Sequence, residues 1–256
     1  FSPDGRTVVM ALDDGTAGLW DRQSGMRLAT LDEGHDFLAM KAAFVPGGRR
    51  MVTVAGDDTV RCWNVNSGGE IWKRDGAGRR GLLSLSPSGR TLVTGSSDGK
   101  AARVIAVESG EVKGVLSPTA TDAEGPPTRA DDDPQDRDPR PDVTAVAFSP
   151  NGRSIATADQ LGTVRVYDAE TKSLRQTLNG HDGAVSVLQW TPDSETLLSA
   201  SVDTSIAFWN VAEGQEIAGK RLLHDDAVSL FELSPDGDQA VSVAADRQGN
   251  QSLYHW

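Results

Sequence analysis

A short segment recurs along the chain and limits the possible folds: an apolar residue is followed two positions later by proline, and most copies also have a hydroxyl residue before the proline and a glycine after it. We call these segments the anchor turns, and they begin at Phe1, Phe44, Leu85, Phe148, Trp190 and Leu233. Their first residues lie 43, 41, 63, 42 and 43 positions apart. A fixed period of about 40–45 residues indicates an array of similar supersecondary units. The longer spacing of 63 indicates an insertion between the third and fourth units.

Each unit reads as a set of short β-strands. The anchor turns supply proline and glycine at turn positions, and alternating or apolar runs follow them, such as Thr59–Trp63 and Thr163–Tyr167. No segment shows sustained helical periodicity, so the pattern predicts an all-β chain of four-stranded antiparallel units. The predicted units lie near residues 1–32, 33–74, 75–117, 142–179, 180–222 and 223–256.

Three units carry the same four polar or aromatic residues. The sets are His35, Thr53, Asp57 and Trp63; His181, Ser199, Asp203 and Trp209; and His224, Ser242, Asp246 and Trp256. The hydroxyl residue follows histidine by 18 positions and aspartate follows the hydroxyl by 4 in every set. Tryptophan follows aspartate by 6 positions in two sets and by 10 in the third, which predicts a longer turn there.

These residue types also form hydrolytic Ser–His–Asp triads. A catalytic triad is needed once, whereas this set occurs three times at fixed offsets, so we interpret it as a structural hydrogen-bond network. Indole, hydroxyl, imidazole and carboxylate groups can chain donors and acceptors across strands.

With these repeats, the chain resembles the WD-repeat (WD40) family, whose units carry a His–Ser/Thr–Asp–Trp network. The resemblance implies a β-propeller in which six blades are visible, with the first and last incomplete. It also implies that the chain is part of a longer protein with a seven-bladed or longer array. Loss of the network in a blade is compatible with the fold, because apolar replacement of all its members is nearly neutral.

Three blades depart from the pattern. Blade 1 has Asp14 and Trp20 but Met10 at the hydroxyl position. In blades 3 and 4 the expected network positions are filled by the following residues: Gly76, Thr94, Asp98 and Val104 in blade 3, and Pro139, Thr157, Leu161 and Tyr167 in blade 4.

Residues 117–142 interrupt the repeat. They contain six prolines and eight acidic residues but only three arginines, which predicts a disordered acidic loop. The plain interpretation is a tolerated surface insertion, and the alternative is a docking or regulatory segment. We also hypothesise that this insert folds back over Arg79 and Arg80 and screens the mouth of the channel at low salt.

In the WD-repeat family, connections between blades and turns between second and third strands lie on one face, the top face. The resemblance implies that proteins or peptides dock there. Loop position alone gives these candidate contacts: Phe37, Arg79, Arg80, Gln160, Val202, Arg247 and Gln248.

Composition narrows the classes of partner. The formal net charge of -12 argues against nucleic acid and anionic membranes as partners. No apolar run approaches the ~20 residues of a membrane span. Cys62 is the sole cysteine, and no metal-ligand spacing, phosphate loop or nucleophile elbow is present, so we expect no cofactor, no metal and no enzyme activity.

The sequence is compatible with three functions. The first is a protein-interaction scaffold in the cytoplasm, with proteins or peptides as partners. The second is a regulatory or sensor module of a larger signalling protein such as a bacterial Ser/Thr kinase, continuous with further domains or blades. The third, a propeller enzyme using paired carboxylates such as Asp57 and Asp58, is disfavoured because adjacent acids in turns are usually solvated.

Overall fold

The structure is a computed structural model that describes residues 1–12, 16–31, 35–36, 39–78, 81–117, 140–246 and 248–256. Within these residues the secondary structure consists of β-strands joined by turns, without an α-helix. The strands form six antiparallel sheets, which we number as blades 1 to 6 in chain order. None of the described segments is a helix of the length and apolarity that a membrane crossing requires.

The first three blades precede the insert. Blade 1 consists of β1 (Thr7–Ala11), β2 (Ala17–Asp21) and β3 (Arg27–Leu31). Blade 2 consists of β4 (Ala39–Phe44), β5 (Arg50–Ala55), β6 (Thr59–Asn64) and β7 (Glu70–Asp75). Blade 3 consists of β8 (Leu83–Leu85), β9 (Thr91–Gly95), β10 (Ala102–Ala106) and β11 (Val112–Leu116).

The other three blades follow it. Blade 4 consists of β12 (Val143–Phe148), β13 (Ser154–Asp159), β14 (Val164–Asp168) and β15 (Leu174–Leu178). Blade 5 consists of β16 (Val185–Trp190), β17 (Thr196–Ser201), β18 (Ser205–Asn210), β19 (Gln215–Glu216) and β20 (Leu222–Leu223), the last two both pairing with β18. Blade 6 consists of β21 (Ala227–Leu233), β22 (Ala240–Ala245) and β23 (Gln251–His255).

The hydrophobic core is divided into layers, each shared by two consecutive blades. Leu19 of blade 1 packs with Trp63 of blade 2, and Cys62 packs with Ile105 of blade 3. Further layers join blades 3 and 4, 4 and 5, and 5 and 6. A blade therefore buries its two faces against its neighbours, which is the packing of a radial repeat array.

The inner strands of consecutive blades surround a common space. A cavity of about 310 Å³ is lined by Lys41 of β4, Ser84 of β8, Ala147 of β12 and Gln189 of β16, among others. This space marks the central channel. The chain is therefore an all-β propeller of antiparallel blades with three-stranded first and last sheets, as the sequence predicted.

The anchor turns close the hairpin between the first and second strand of a blade. In blade 4 the Gly152 N–H donates to the Ser149 carbonyl at 2.9 Å, and Gly152 adopts a φ of 70°. Ser149 Oγ accepts from the Ser154 N–H at 3.0 Å and donates to Asn151 Oδ1 at 2.8 Å. This positive φ favours glycine, which explains its recurrence at this position.

Because successive strands are antiparallel, alternate connections lie at opposite ends of the blades. Turns between second and third strands share the top face with connections between blades. The anchor turns share the other end, which we call the anchor face, with turns between third and fourth strands.

Candidate functional site

Blade 5 contains the complete polar network. Trp209 Nε1 donates to Ser199 Oγ at 2.7 Å, and Ser199 Oγ lies 2.7 Å from His181 Nε2. The other ring nitrogen, His181 Nδ1, lies 2.7 Å from Asp203 Oδ2. The donors and acceptors match if Ser199 donates to Nε2 and a neutral imidazole donates from Nδ1 to the carboxylate. The network joins the connection before the blade, its second strand, the next turn and its third strand.

Blade 2 repeats this arrangement with threonine. Trp63 Nε1 donates to Thr53 Oγ1 at 2.9 Å, and His35 Nε2 lies 2.7 Å from the same oxygen. His35 Nδ1 lies 3.1 Å from both carboxylate oxygens of Asp57. The offsets in the sequence thus bring four side chains from four segments into contact.

A second hydroxyl residue supports each aspartate, and the sequence prediction missed it. Thr59 Oγ1 donates to Asp57 at 2.8 Å, and Ser205 Oγ donates to Asp203 at 2.7 Å. The available signal was a hydroxyl residue two positions after each aspartate. These bonds hold each carboxylate toward its histidine.

The protonation states follow from burial and hydrogen bonding. Burial lowers the pKa of His35 below its ordinary 6.5, although the Asp57 charge opposes this shift. Burial raises the pKa of Asp57, but the hydrogen bond from Thr59 and the nearby His35 outweigh it and leave the pKa below 3.8. The same balance, with Ser205 and His181, lowers the pKa of Asp203. These shifts favour an ionised carboxylate.

The hydroxyl groups are not placed to act as nucleophiles. Thr53 and Ser199 are fully buried, and each hydroxyl oxygen already accepts from an indole N–H. A nucleophile needs an approach path for its substrate. Neither hydroxyl has such a path, so the arrangement can hold strands together and neither oxygen is placed to attack a substrate.

Blade 6 assembles only part of its set, contrary to the prediction. Ser242 Oγ lies 2.7 Å from His224 Nε2 and accepts from Trp256 Nε1 at 2.8 Å. However, buried His224 Nδ1 has no hydrogen-bond partner, and Asp246 instead accepts from the N–H groups of Gln248 and Asn250, each at 2.8 Å. The longer turn draws the carboxylate into its own backbone bonds.

In blade 3 the predicted tryptophan position is displaced by one residue. Thr94 pairs with Arg103, as Thr53 pairs with Arg61 and Ser199 with Ala207. In blades 2 and 5 the tryptophan lies two residues after the partner of the hydroxyl residue. The same position in blade 3 is Ile105, not Val104, because the turn between the second and third strands contains one more residue there. The hydroxyl of Thr94 is buried without a hydrogen-bond partner, since the blade supplies neither histidine nor tryptophan. Asp98 instead accepts from Ser96 Oγ in the turn.

Blade 4 substitutes an ion pair for the network. Arg165 Nη1 lies 2.6 Å from Asp159 Oδ2, and Asp159 is 1% exposed. Tyr167 takes the tryptophan position and donates its hydroxyl to the Ser117 carbonyl at 2.9 Å. Leu161, at the position expected for aspartate, is 66% exposed. Asp14 of blade 1 and Pro139 of blade 4 lie outside the described residues.

Three predicted top-face contacts are described, and Gln160, Val202 and Gln248 are all exposed. Phe37, Arg79, Arg80, Arg247 and most of the insert, residues 118–139, lie outside the described residues. The hypothesis that the insert covers Arg79 and Arg80 therefore stays a prediction.

The turns that carry Gln160 and Val202 lie on one continuous surface. A Cβ on Gly162 would lie 2.5 Å from the His181 carbonyl oxygen, so this turn packs closely on the connection into blade 5. A Cβ on Gly183 would lie 2.8 Å from a methyl of Val202, which extends the contact to the next turn. Leu161 and Val202, 66% and 49% exposed, thus lie on adjoining turns of blades 4 and 5, and we call this pair of apolar side chains the top ridge. The sequence prediction named Val202 but treated Leu161 only as a lost network residue.

The described residues contain no cluster of three or more histidine, cysteine or acidic side chains that could hold a metal ion. Cys62 is buried, and burial raises the pKa of its thiol to about 11. That thiol is therefore neutral and shielded at ordinary pH.

Comparison with known proteins agrees with the blade geometry. The family model described as "WD domain, G-beta repeat" matches residues 25–64, 138–168 and 172–210. Periodic tryptophan protein 2 of Arabidopsis thaliana is 25% identical over 87% of this chain and 24% of its own length. WD repeat-containing protein 1 of Gallus gallus is 38% identical over 30% of this chain and 13% of its own length. Apoptotic protease-activating factor 1 of Mus musculus is 23% identical over 85% of this chain and 15% of its own length.

The chain spans less than a quarter of the length of these three relatives. Three of its blades match the repeat model, and two of them, blades 2 and 5, contain the complete His–hydroxyl–Asp–Trp network. These three blades match WD repeats, and the all-β chain is similar to the WD-repeat (WD40) β-propeller family.

Proposed function

We propose that this chain is a rigid, non-catalytic platform that binds a protein or peptide on its top face, centred on the top ridge. One observation carries the proposal: two apolar side chains are exposed on adjacent, tightly packed turns, whereas the hydroxyls of the complete networks are sealed. Exposed apolar groups on a stable scaffold are typical of binding surfaces. The WD-repeat relatives support an interaction role in general, because this family is generally a non-enzymatic scaffold.

The surroundings of the top ridge suit a peptide partner. Gln160 and Gln248 are exposed on the same face and offer neutral hydrogen-bond groups. An apolar centre with polar groups at its edge is the common anatomy of protein interfaces. The second hypothesis, a sensor module of a larger signalling protein, would use the same surface and stays a prediction, as does a cytoplasmic location.

The test is quantitative affinity capture with matched surface variants. Leu161→Asp combined with Val202→Asp places two charges in the top ridge, while Leu174→Asp changes an exposed leucine, 44% exposed, on the outer strand β15. We expect the ridge variant to capture at least about fivefold less partner than the parent chain, because apolar anchors at the centre of an interface dominate affinity. The outer-strand variant should retain it.

Thermal unfolding followed by circular dichroism checks that both variants are folded. Equal loss of partner from the two folded variants, or no loss from either, would refute the assignment to the top ridge.

A further inference from the structure

A groove of about 780 Å³ lies between blades 2 and 3 on the anchor face, opposite the top ridge. Its walls are the anchor turns of both blades and the turn between the third and fourth strands of blade 3, residues 106–109. This volume is within the range of protein ligand sites, about 300–1,000 Å³.

Positive charge dominates the groove. Arg49, Arg50, Arg90 and Lys113 line it, against the single acid Glu108. Lys113 pairs with Glu111 at 2.6 Å, but no ion pair among the described residues involves any of the three arginines. In a chain of net charge -12, three guanidinium groups without a carboxylate partner in one groove are a local reversal of the protein's charge.

The repeats show which arginine is specific to this groove. The residue directly after the anchor turn is arginine in blades 1 to 4, as with Arg49 and Arg90, so it belongs to the repeat pattern. The next residue is Arg50 in blade 2, whereas the other blades carry these residues there: Thr7, Thr91, Ser154, Thr196 and Gln239. The repeat pattern therefore does not account for Arg50.

The groove is preformed. Trp72 Nε1 donates to the Val107 carbonyl at 2.9 Å, and Arg74 Nε donates to the Gly110 carbonyl at 2.7 Å. A Cβ on Gly110 would lie 2.8 Å from the Trp72 ring, so the strand β7 packs tightly on this turn of blade 3. A wall that is already ordered lowers the entropy cost of binding.

We infer that this groove binds an acidic peptide segment of a partner protein, whose carboxylates pair with Arg49, Arg50 and Arg90. Arginine presents a planar fork that matches a carboxylate in bidentate geometry. Pro46 is exposed beside the cations and provides apolar surface, which suits a peptide better than a free anion. The net negative charge outside the groove repels a long polyanion such as RNA. The site is on the opposite face from the proposed top ridge and does not depend on it.

The experiment measures the fluorescence anisotropy of a labelled acidic peptide of alternating aspartate and glutamate with the full chain. Arg50→Thr introduces the residue that other blades carry, so the fold should tolerate it, and Arg90→Ala removes a second cation. Arg153→Ala is the matched control, because Arg153 follows the anchor turn of blade 4 outside the groove.

We expect Arg50→Thr and Arg90→Ala each to weaken the affinity by about tenfold at low salt, and Arg153→Ala to leave it nearly unchanged. The peptide with asparagine and glutamine in place of the acids should not bind. Raising the salt from about 50 mM to about 300 mM should weaken binding, because screening reduces attraction between partly exposed charges.

Three results would overturn the inference. The first is equal weakening by Arg50→Thr and Arg153→Ala. The second is tighter binding of a single-stranded oligonucleotide of equal charge than of the peptide. The third is peptide binding that requires deletion of residues 118–139, which would assign the groove to the chain's own acidic segment.

Discussion

Blades 5 and 6 carry the same histidine, serine and aspartate at the same offsets, yet they use the aspartate differently. In blade 5 Asp203 lies 2.7 Å from His181, whereas in blade 6 Asp246 bonds the backbone of its own turn and His224 Nδ1 has no partner. Both strand pairs keep the same register, since Ser199 faces Ala207 and Ser242 faces Tyr254. The strands therefore fix the hydroxyl, the histidine and the tryptophan, and the length of the turn decides whether the carboxylate joins them.

Removing the central hydroxyl gives the largest expected difference between the two blades. Ser199→Ala should lower the free energy of unfolding by about 2–4 kcal/mol, because buried Trp209 Nε1 and His181 Nε2 both lose their partner. Ser242→Ala should cost roughly half as much, because Trp256 is 39% exposed and water can replace the lost bond. Urea unfolding measures both variants. Equal losses would contradict the idea that burial sets the value of the network.

Shortening the turn should convert blade 6 into a copy of blade 5. Deletion of residues 247–250 puts Tyr254 four positions after Asp246, as Ala207 follows Asp203, and puts Ser252 at the position of Ser205. We expect Asp246 to reach His224, with a gain of about 1 kcal/mol in unfolding free energy and a rise in the pKa of His224. Urea unfolding and an NMR titration of the histidine ring measure the two effects.

Replacement of the same four residues by a Gly/Ser segment of equal length is the control for this deletion. A deletion variant whose His224 titrates as in the parent protein would show that something other than turn length keeps the aspartate away.

Blade 3 extends the comparison to a hydroxyl without any partner. Thr94 Oγ1 is buried and unbonded, so Thr94→Val should be neutral or raise the unfolding free energy by up to about 1 kcal/mol. Thr53→Val, at the same position of blade 2, should lower it by about 2 kcal/mol, because His35 and Trp63 lose their shared oxygen. Denaturant midpoints of the two variants test this opposite response, and loss of stability in both would contradict it.

The smallest expected effect is a dependence on pH. Burial lowers the pKa of His224, so the unfolded chain binds a proton first as the pH falls through the ordinary value of 6.5. Stability should therefore decrease from about pH 7.5 to about pH 5.5, and His224→Gln should reduce that slope. His255→Gln, at an exposed histidine, is the control and should keep it. Thermal midpoints across this range measure the slopes, and identical slopes for both variants would exclude His224 as a cause.

The fold was predictable because its signals are local and repeated. Proline marks each anchor turn and a positive-φ glycine ends five of the six, and their period gives the blade order without any knowledge of long-range contacts. The offset of 18 between histidine and hydroxyl correctly brought His35 close to Thr53. These features depend on strand register, which the alternation of residues specifies well.

The errors arose where the conformation of a turn decides the result. Counting residues placed Val104 at the tryptophan position, but one additional residue in the turn of blade 3 moves Ile105 there. Counting residues also placed Asp246 in a network with His224. In the structure the backbone N–H groups of Gln248 and Asn250, in the same turn, bind the Asp246 carboxylate instead. The groove beside Arg50 could not be derived from one repeat, because it requires two neighbouring blades. The top ridge likewise depends on side-chain exposure, which loop position alone does not give.

The division of the core into layers between consecutive blades has a consequence for how the chain tolerates change. Tyr167 packs on blade 3 and Trp209 on blade 4, so these aromatic rings stabilise a boundary between blades as well as the sheet that carries them. A blade on its own would leave both of its apolar faces in water. Cooperativity should therefore spread from neighbour to neighbour, and a connection between two blades can be lengthened at a small cost in entropy, which fits the longer spacing between the third and fourth anchor turns.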